Sequence, residues 1–491
     1  MSGETILPNT PVLVGVGIAT RREDDPARAL EPIDLMLEAV RAAGADCGAP
    51  ALLAEVGSIA VPRGRWRYRN PAGEIARAVG ATGATTIVSS VGVLQQTLIA
   101  DACQAIADGT VESALVTGAD AGYRLLRARL AGGRAEERDQ VDEPDVRLEP
   151  KAELRHPAEV AVGLKMPVGL YAILESARRA AGGWSVDEHR DRLAARYARF
   201  AQIAATNPDG WTRTALNAAQ IRDDGPRNPM QAFPYTRAHC STWNVDQAAA
   251  LLFCSAERAA GLGIDRLRWV FPLASAESNH MVALSARADL IRSPGADAAA
   301  RAVLDAAGIT AADIDLIDLY SCFPVAVETF ADALALPPDR DLTFTGSMAF
   351  AGGPYNNYLF QATARAAQLL REGAGRTALI SCVSGILTKQ AFALWSSEPP
   401  REGFVCRDVT AEAAAAAGEV PVIEDFTGGG RIAGYTVLHA RGEAPRAVAL
   451  IDTEAGARAL AVSEADETIA GMQREEWVGR QVRVVSGRIV A

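Results

Sequence analysis

At 491 residues the chain is too long for one hydrophobic core, so two or more domains are expected. Half of it is apolar (49%), and 49 basic against 60 acidic side chains leave a net charge of -11. That balance argues against a general nucleic-acid surface, while leaving room for a local basic patch around a phosphorylated cofactor.

The N-terminal stretch MSGETILPNT lacks a basic start followed by an apolar run, so no signal peptide is expected. No apolar run is long enough for a transmembrane helix. Both point to a cytoplasmic protein with no membrane span. Seven cysteines (Cys47, Cys103, Cys240, Cys254, Cys322, Cys382 and Cys406) form no CxxC pair. Neither a metal site nor a dithiol redox motif is therefore expected, and the odd count and wide spacing fit a reducing compartment.

In chain order, PVLVGVGI (Pro11 to Ile18) reads as a buried strand. RREDDPARALEP is a charged loop. IDLMLEAVRAAGAD (Ile33 to Asp46) has helical apolar spacing and a stop expected near Gly44. VGSIAVP (Val56 to Pro62) is a second strand. From Thr85 the sequence predicts a strand, a tight turn at Ser89 to Gly92, a helix to about Asp108 and a strand at SALVTGA. This is α/β layering.

Ala131 to Pro157 is charged and irregular, and two helices follow. The second opens on Ser185 with Glu188 three residues on, the spacing of a capping box. This helical insertion, about 125–235, ends near Pro234. A second α/β unit then follows: ADAAARAVLDAAGIT as helix, DIDLIDLYSCF as strand and turn, GPYNNYLFQATARAAQLLREG as helix, RTALISCVSG as strand and loop. Ala107 to Val116 aligns without a gap on Arg371 to Ile380, and the same offset places Gly44 on Gly308. Two matches at one offset point to a duplicated unit. After Ser397, SSEPPREGF reads as a linker, and the tail as strands of a small β-rich domain.

These duplicated halves, the insertion, and VDQAAALLFCSAERAAGLG closing the first half resemble the thiolase superfamily over roughly Pro11 to Trp395. The branch most similar is the sterol-carrier-thiolase-like one, often labelled acetyl-CoA acetyltransferase. Within it, the resemblance is to type 1 thiolase-like proteins with an additional C-terminal domain, an OB-like barrel. It implies a duplicated five-layer αβαβα thiolase fold. The implied domains are 1–265 (including the insertion), 266–396 and 397–491.

Thiolases use a cysteine nucleophile at a helix N-terminus, a GHP histidine that activates it, a CxG cysteine that moves the substrate α-proton, and an Asn or His that helps form an oxyanion hole. By resemblance the nucleophile position falls on Ser89, in IVSSVG, with Ser90 one residue out of register. The Asn/His position falls on Tyr320, in YSCF, and GHP becomes GGP, with Gly353 replacing the histidine. CxG becomes CVSG, keeping Cys382 with Ser384 at the glycine and Gly385 after it. One of the four groups is unchanged.

Each position carries two readings. Ser89 is a substitute nucleophile, or a serine supporting the turn and capping the helix. Cys382 lines a reaction pocket, or is a small buried hydrophobe. Tyr320 is an acid, base or hydrogen-bond donor, or a buried phenol with a satisfied hydroxyl. His239 and His280 lie nearest to site-forming segments and bind substrate, or are structural. Met166 matches a segment of the family that faces substrate, or packs at a helix start. Gly352 and Gly353 let a ligand approach the backbone, or serve turns. The run RGRWRYR (Arg63 to Arg69) suits a phosphate, or is an exposed charged loop.

No nucleotide-binding glycine motif occurs in a strand–helix context, so neither NAD nor ATP is indicated. The resemblance implies a coenzyme A thioester as substrate or ligand, with no tightly bound cofactor. The expected activity is that of an acyltransferase, or of an enzyme making or breaking a C–C bond beside a thioester. The alternatives are a catalytically silent CoA- or lipid-binding protein and a scaffold whose C-terminal domain docks a partner. A homodimer through the sheet edge before the nucleophile helix is a further expectation.

Overall fold

The computed structural model describes residues 6–150, 155–440 and 442–490. The first half supplies strands β1 (Pro11–Arg21), β2 (Ser58–Pro62), β3 (Thr85–Ser89), β4 (Ser113–Ala121), β5 (Val146–Leu148) and β6 (Asp246–Ser255). They form one sheet in the order β1-β6-β4-β2-β3-β5. β2, β3, β4 and β5 run parallel, and β6 is antiparallel to both β1 and β4. β4 and β6 are buried along their whole length, as expected of strands covered on both faces.

Helix α1 (Pro32–Asp46) covers the outer face and opens on a proline at N1. β1 lies flush against it. A Cβ on Gly17 would stand 2.0 Å from the Ala39 carbonyl oxygen, so no larger residue fits. The helix does not stop at Gly44. That glycine packs inward against Leu53, and the helix runs on to Asp46. Its counterpart by offset, Gly308, does end its helix, in a left-handed conformation at φ +63.

Helix α2 (Gln95–Ala107) lies on the inner face of this sheet. The insertion contributes α3 (Pro167–Ala181) and α4 (Val186–Thr206), the latter opened by the Ser185/Glu188 capping box. In the second half, α5 (Pro294–Ala307) covers the outer face of the second sheet, and α6 (Tyr358–Arg371) joins α2 between the two sheets. That sheet comprises β7 (Phe271–Ser278), β8 (Leu316–Asp318), β9 (Thr377–Ser384), β10 (Lys389–Ser396) and β11 (Val405–Asp408), in the order β8-β9-β10-β7-β11. β4 and β9 start at positions related by the repeat offset, Ser113 and Thr377. The layers run helix, sheet, helix, sheet, helix, and the largest apolar cluster spans the central helices and the second sheet.

β11 pairs parallel with β7, so the second sheet takes in residues beyond Ser397. The remaining tail forms β12 (Gly428–Leu438), β13 (Arg446–Thr453), β14 (Arg458–Ser463), β15 (Gln481–Val485) and β16 (Arg488–Val490). The pairs β12–β13, β13–β14, β14–β16, β16–β15 and β15–β12 close a five-stranded barrel around its own core.

The barrel is docked on the insertion. Ala232 pairs with Leu438. The buried Arg179 of α3 donates to Glu476 at 2.8 and 3.2 Å and to the Tyr435 hydroxyl at 2.7 Å. The edge of the first sheet at β3 is covered by β5, which the charged connector after α2 and β4 supplies.

Candidate active site

The parallel strands of both sheets end where α2 begins, and the first turn of α2 reaches across to the second half. Gln95 Nε2 donates to the Tyr320 hydroxyl at 3.3 Å, while Gln95 Oε1 accepts from the Leu359 N–H at 2.8 Å. Gln96 Nε2 donates to Ser275 Oγ at 3.1 Å, and Thr97 Oγ1 to Glu277 at 2.8 Å. The backbone N–H groups of Gln95 and Gln96 donate to the Cys382 thiol. Lys389, buried at the start of β10, donates to the Gly92 carbonyl in the turn before α2.

Cys382 therefore sits at the positive end of α2, which favours a thiolate. Burial outweighs that effect and pushes the thiol up to about 12. Burial also holds the Tyr320 phenol well above its ordinary range. Both groups are protonated at neutral pH. Tyr320 meets Tyr358 edge to face at 5.6 Å.

Beneath Tyr320, the buried Asp318 carboxylate accepts from Thr343 Oγ1 (2.7 Å), Thr345 Oγ1 (2.8 Å), Tyr358 OH (2.8 Å) and the N–H groups of Phe344 (3.1 Å) and Thr345 (3.0 Å). It fixes the loop at 342–347. Ser321 Oγ accepts from the Met348 N–H at 2.9 Å.

Behind Tyr320 lies an aromatic wall. Tyr171 bonds the Cys322 thiol and packs on Phe323 at 4.6 Å. Tyr197 packs on His239 at 5.3 Å. His239 is buried with Nδ1 2.9 Å from Thr236 Oγ1, and Nε2 has no partner among the described residues. Burial pushes this imidazole down to about 3, so it is neutral.

Gly353 donates to the Thr242 carbonyl at 2.9 Å, and a Cβ there would stand 3.1 Å from Ser241 Cβ. Ser241 Oγ in turn donates to the Cys322 carbonyl at 3.2 Å. Gly352 has φ +110, and a Cβ on it would stand 2.1 Å from Gln247 Oε1, so backbone and space both demand glycine. Gly385 has φ +63 in the turn after β9 and lies against Met281. Ser384 faces Lys389 across β9 and β10.

Tyr320 and Cys382 thus meet at the head of α2, and Gly353 joins the wall behind them. Ser89 ends β3 and is buried, but it does not cap α2. Leu94 is the N-cap, and the N–H groups of Gln95 and Gln96 go to Cys382 instead. Ser89 Oγ has no partner among the described residues. Met166 is the N-cap residue of α3 and is 49% exposed, away from this buried centre.

His280 lines a separate cavity of about 320 Å³ with Arg287, Arg292, Arg301, Leu387 and Glu412. Arg292 pairs there with Asp297 and Arg301 with Glu412. The RGRWRYR run is tied up within the chain. Arg65 pairs with Asp120 (2.7 Å), Arg67 with Glu137 (3.7 Å) and Arg69 with Glu143 (3.3 Å).

Sequence reasoning missed Gln95, Lys389 and Tyr197. The paired glutamines in the first turn of the helix were the signal for the first. Nothing in TKQAFALW marks Lys389 as buried.

No family model matches the sequence, and no curated protein matches it. Solved structures do. The crystal structure of a monomeric SCP2-thiolase-like protein type 1 from Mycobacterium smegmatis is similar with a TM-score of 0.82 and 27% identity, over 99% of this chain and 100% of that one. Over its whole length the chain is similar to the SCP2-thiolase-like branch of the thiolase superfamily.

Fold likeness extends further in this superfamily. An Ltp2-ChsH2(DUF35) aldolase is similar with a TM-score of 0.61 and 16% identity, over 80% of this chain and 100% of that one. Human mitochondrial 3-ketoacyl-CoA thiolase, solved in complex with CoA, gives 0.55 and 16%, over 81% and 100%. The chain therefore shares the thiolase fold, with a barrel closed at its C-terminus.

Proposed function

We propose that this protein binds a coenzyme A thioester and makes or breaks a carbon–carbon bond beside the thioester, or transfers its acyl group, without the covalent acyl-cysteine step. The observation that carries the proposal is the meeting of Cys382 and Tyr320 at the N-terminus of α2. Both are protonated, so Tyr320 polarises the thioester carbonyl by donating a hydrogen bond, and Cys382 donates its proton to the adjacent carbon as the C–C bond there breaks, taking it back in the reverse direction. Ser89 lacks the histidine that would activate it, because Gly353 stands at that position. His239, Gly352, Gly353, Ser384 and Gly385 are the candidate contacts for the acyl end of the substrate, and the outlying His280 and Met166 those for the rest of the thioester.

The CoA-bound thiolase supports the ligand class by fold. The barrel is read as OB-like, and the setting as cytoplasmic lipid metabolism. Turnover of 3-ketoacyl-CoA and 3-hydroxyacyl-CoA tests the proposal, with Cys382→Ala and Tyr320→Phe as controls. Loss of about a hundredfold or more is expected in either variant. No turnover of any such ester by the wild type would overturn it.

One observation favours a second reading: burial disfavours the ionised form of both Cys382 and Tyr320, which leaves the centre without a base. The protein would then bind CoA or lipid silently, or act as a scaffold whose barrel docks a partner. Calorimetry showing CoA binding with no reaction would select it.

A further inference from the structure

The cavity of about 320 Å³ described above is lined by neither Tyr320 nor Cys382. Its walls are the first turn of α5, the loop before it, the turn after β9 and the short helix Thr410–Ala416 that follows β11. The last wall comes from the chain past Ser397. At about 30 Å³ per water, the space takes a ligand of on the order of ten non-hydrogen atoms.

The charges at its rim cancel. Arg292 pairs with Asp297 and Arg301 with Glu412, while Asp289 accepts from the Ile291 and Arg292 N–H groups. Arg287 is the exception, with no ion pair among the described residues. Its Nε donates to the Val282 carbonyl at 3.3 Å and its Nη2 to the Ile386 carbonyl. Nη1 has no acceptor among the described residues. Glu159 acts on Arg287 through space alone, since its oxygens accept from His156 and Ser285. Burial outweighs that field and pushes the guanidinium down to about 10. A cation drawn out of water without a bonded counter-anion is unfavourable in the fold.

The turn that Arg287 holds is strained. Gly385, Ile386 and Leu387 have φ of +63, +54 and +61, a region that disfavours a β-branched residue such as Ile386. Strained backbone of this kind concentrates at ligand sites. Leu387 lines the cavity together with Val282, Pro294 and Ala298, so one wall is apolar.

The geometry points to this cavity as a binding site for a small carboxylic acid, with its carboxylate on Arg287 and a short apolar body against Val282, Ala298 and Leu387. A carboxylate matches the fork of a guanidinium. An inorganic anion leaves the apolar wall bare, and an alcohol leaves Arg287 without a counter-charge. The site stands apart from the thioester reading and does not depend on it.

Calorimetry with hexanoate, hexanol and inorganic phosphate tests this on the wild type, Arg287→Met, Arg287→Lys and Ala417→Phe. The wild type is expected to bind hexanoate about tenfold or more tighter than either of the others. Arg287→Met is expected to weaken hexanoate about tenfold or more, and Arg287→Lys to keep most of the affinity. Ala417→Phe fills the cavity from its rim with Arg287 in place and is expected to abolish binding. It carries the test should Arg287→Met fail to fold. Saturating CoA is expected to leave hexanoate binding unchanged. No binding of hexanoate, equal binding of hexanol or phosphate, or full affinity in a folded Arg287→Met or Ala417→Phe variant overturns the inference. So does displacement by CoA, since His280 would then hold the far end of the thioester, and the proposed function would stand.

Discussion

The carboxyl ends of the two sheets treat their polar groups in opposite ways. On the second-half side, Asp318 accepts from five donors, Tyr320 is held by Gln95, and the Cys382 sulfur takes two helix N–H groups. Across the central layer, Ser89 Oγ and both polar atoms of Asn357 have no partner among the described residues. A saturated network fixes geometry, and an unsaturated one leaves valences for something that arrives later. The Asp318, Tyr320 and Cys382 network therefore forms the rigid frame of the site, while Ser89 in the first half and Asn357 in the second are left open.

Mutations can break this contrast. Asp318→Ala strands three hydroxyls and two N–H groups in the core and is expected to cost about 3–5 kcal/mol in denaturant unfolding. A cost under about 1 kcal/mol would mean the frame is not rigid. Arg179→Met removes the buried clamp between α3 and the barrel. A cost of about 2–4 kcal/mol is expected, with earlier proteolysis of the barrel.

His239 supplies a pH test on the aromatic wall. Its folded pKa, about 3, lies below the ordinary 6.5, so the unfolded chain binds the extra proton between those values. Its contribution to stability is present above about 6.5 and is lost as pH falls toward 3, at up to about 1.4 kcal/mol per pH unit. His239→Gln should flatten that part of the profile. Ser89→Ala is expected to shift stability by no more than about 0.5 kcal/mol, since it breaks no hydrogen bond. A larger loss would show that Ser89 is satisfied within the fold.

Much of the frame was legible in the sequence because it rests on periodicity. Ile33 to Asp46, the Ser185/Glu188 box, and the repeat pairing Ala107–Val116 with Arg371–Ile380 all correspond to elements in register. The motif positions Tyr320 and Cys382 were legible by resemblance. The cross-layer bonds were not. Gln95 and Lys389 bond residues hundreds of positions away, and no local pattern encodes that. The second sheet's claim on residues past Ser397 was hidden for a related reason, because β11 is a short edge strand whose partner lies far upstream. The turn-and-cap reading of Ser89 failed because a sulfur from the other half took the N–H groups it would have met.

β5 has one more consequence. Its three residues take the outward-facing hydrogen-bonding groups of β3, the edge that a second copy would have to extend. The chain completes its own sheet with its own connector. Folding along that edge is therefore unimolecular, and dilution does not weaken it.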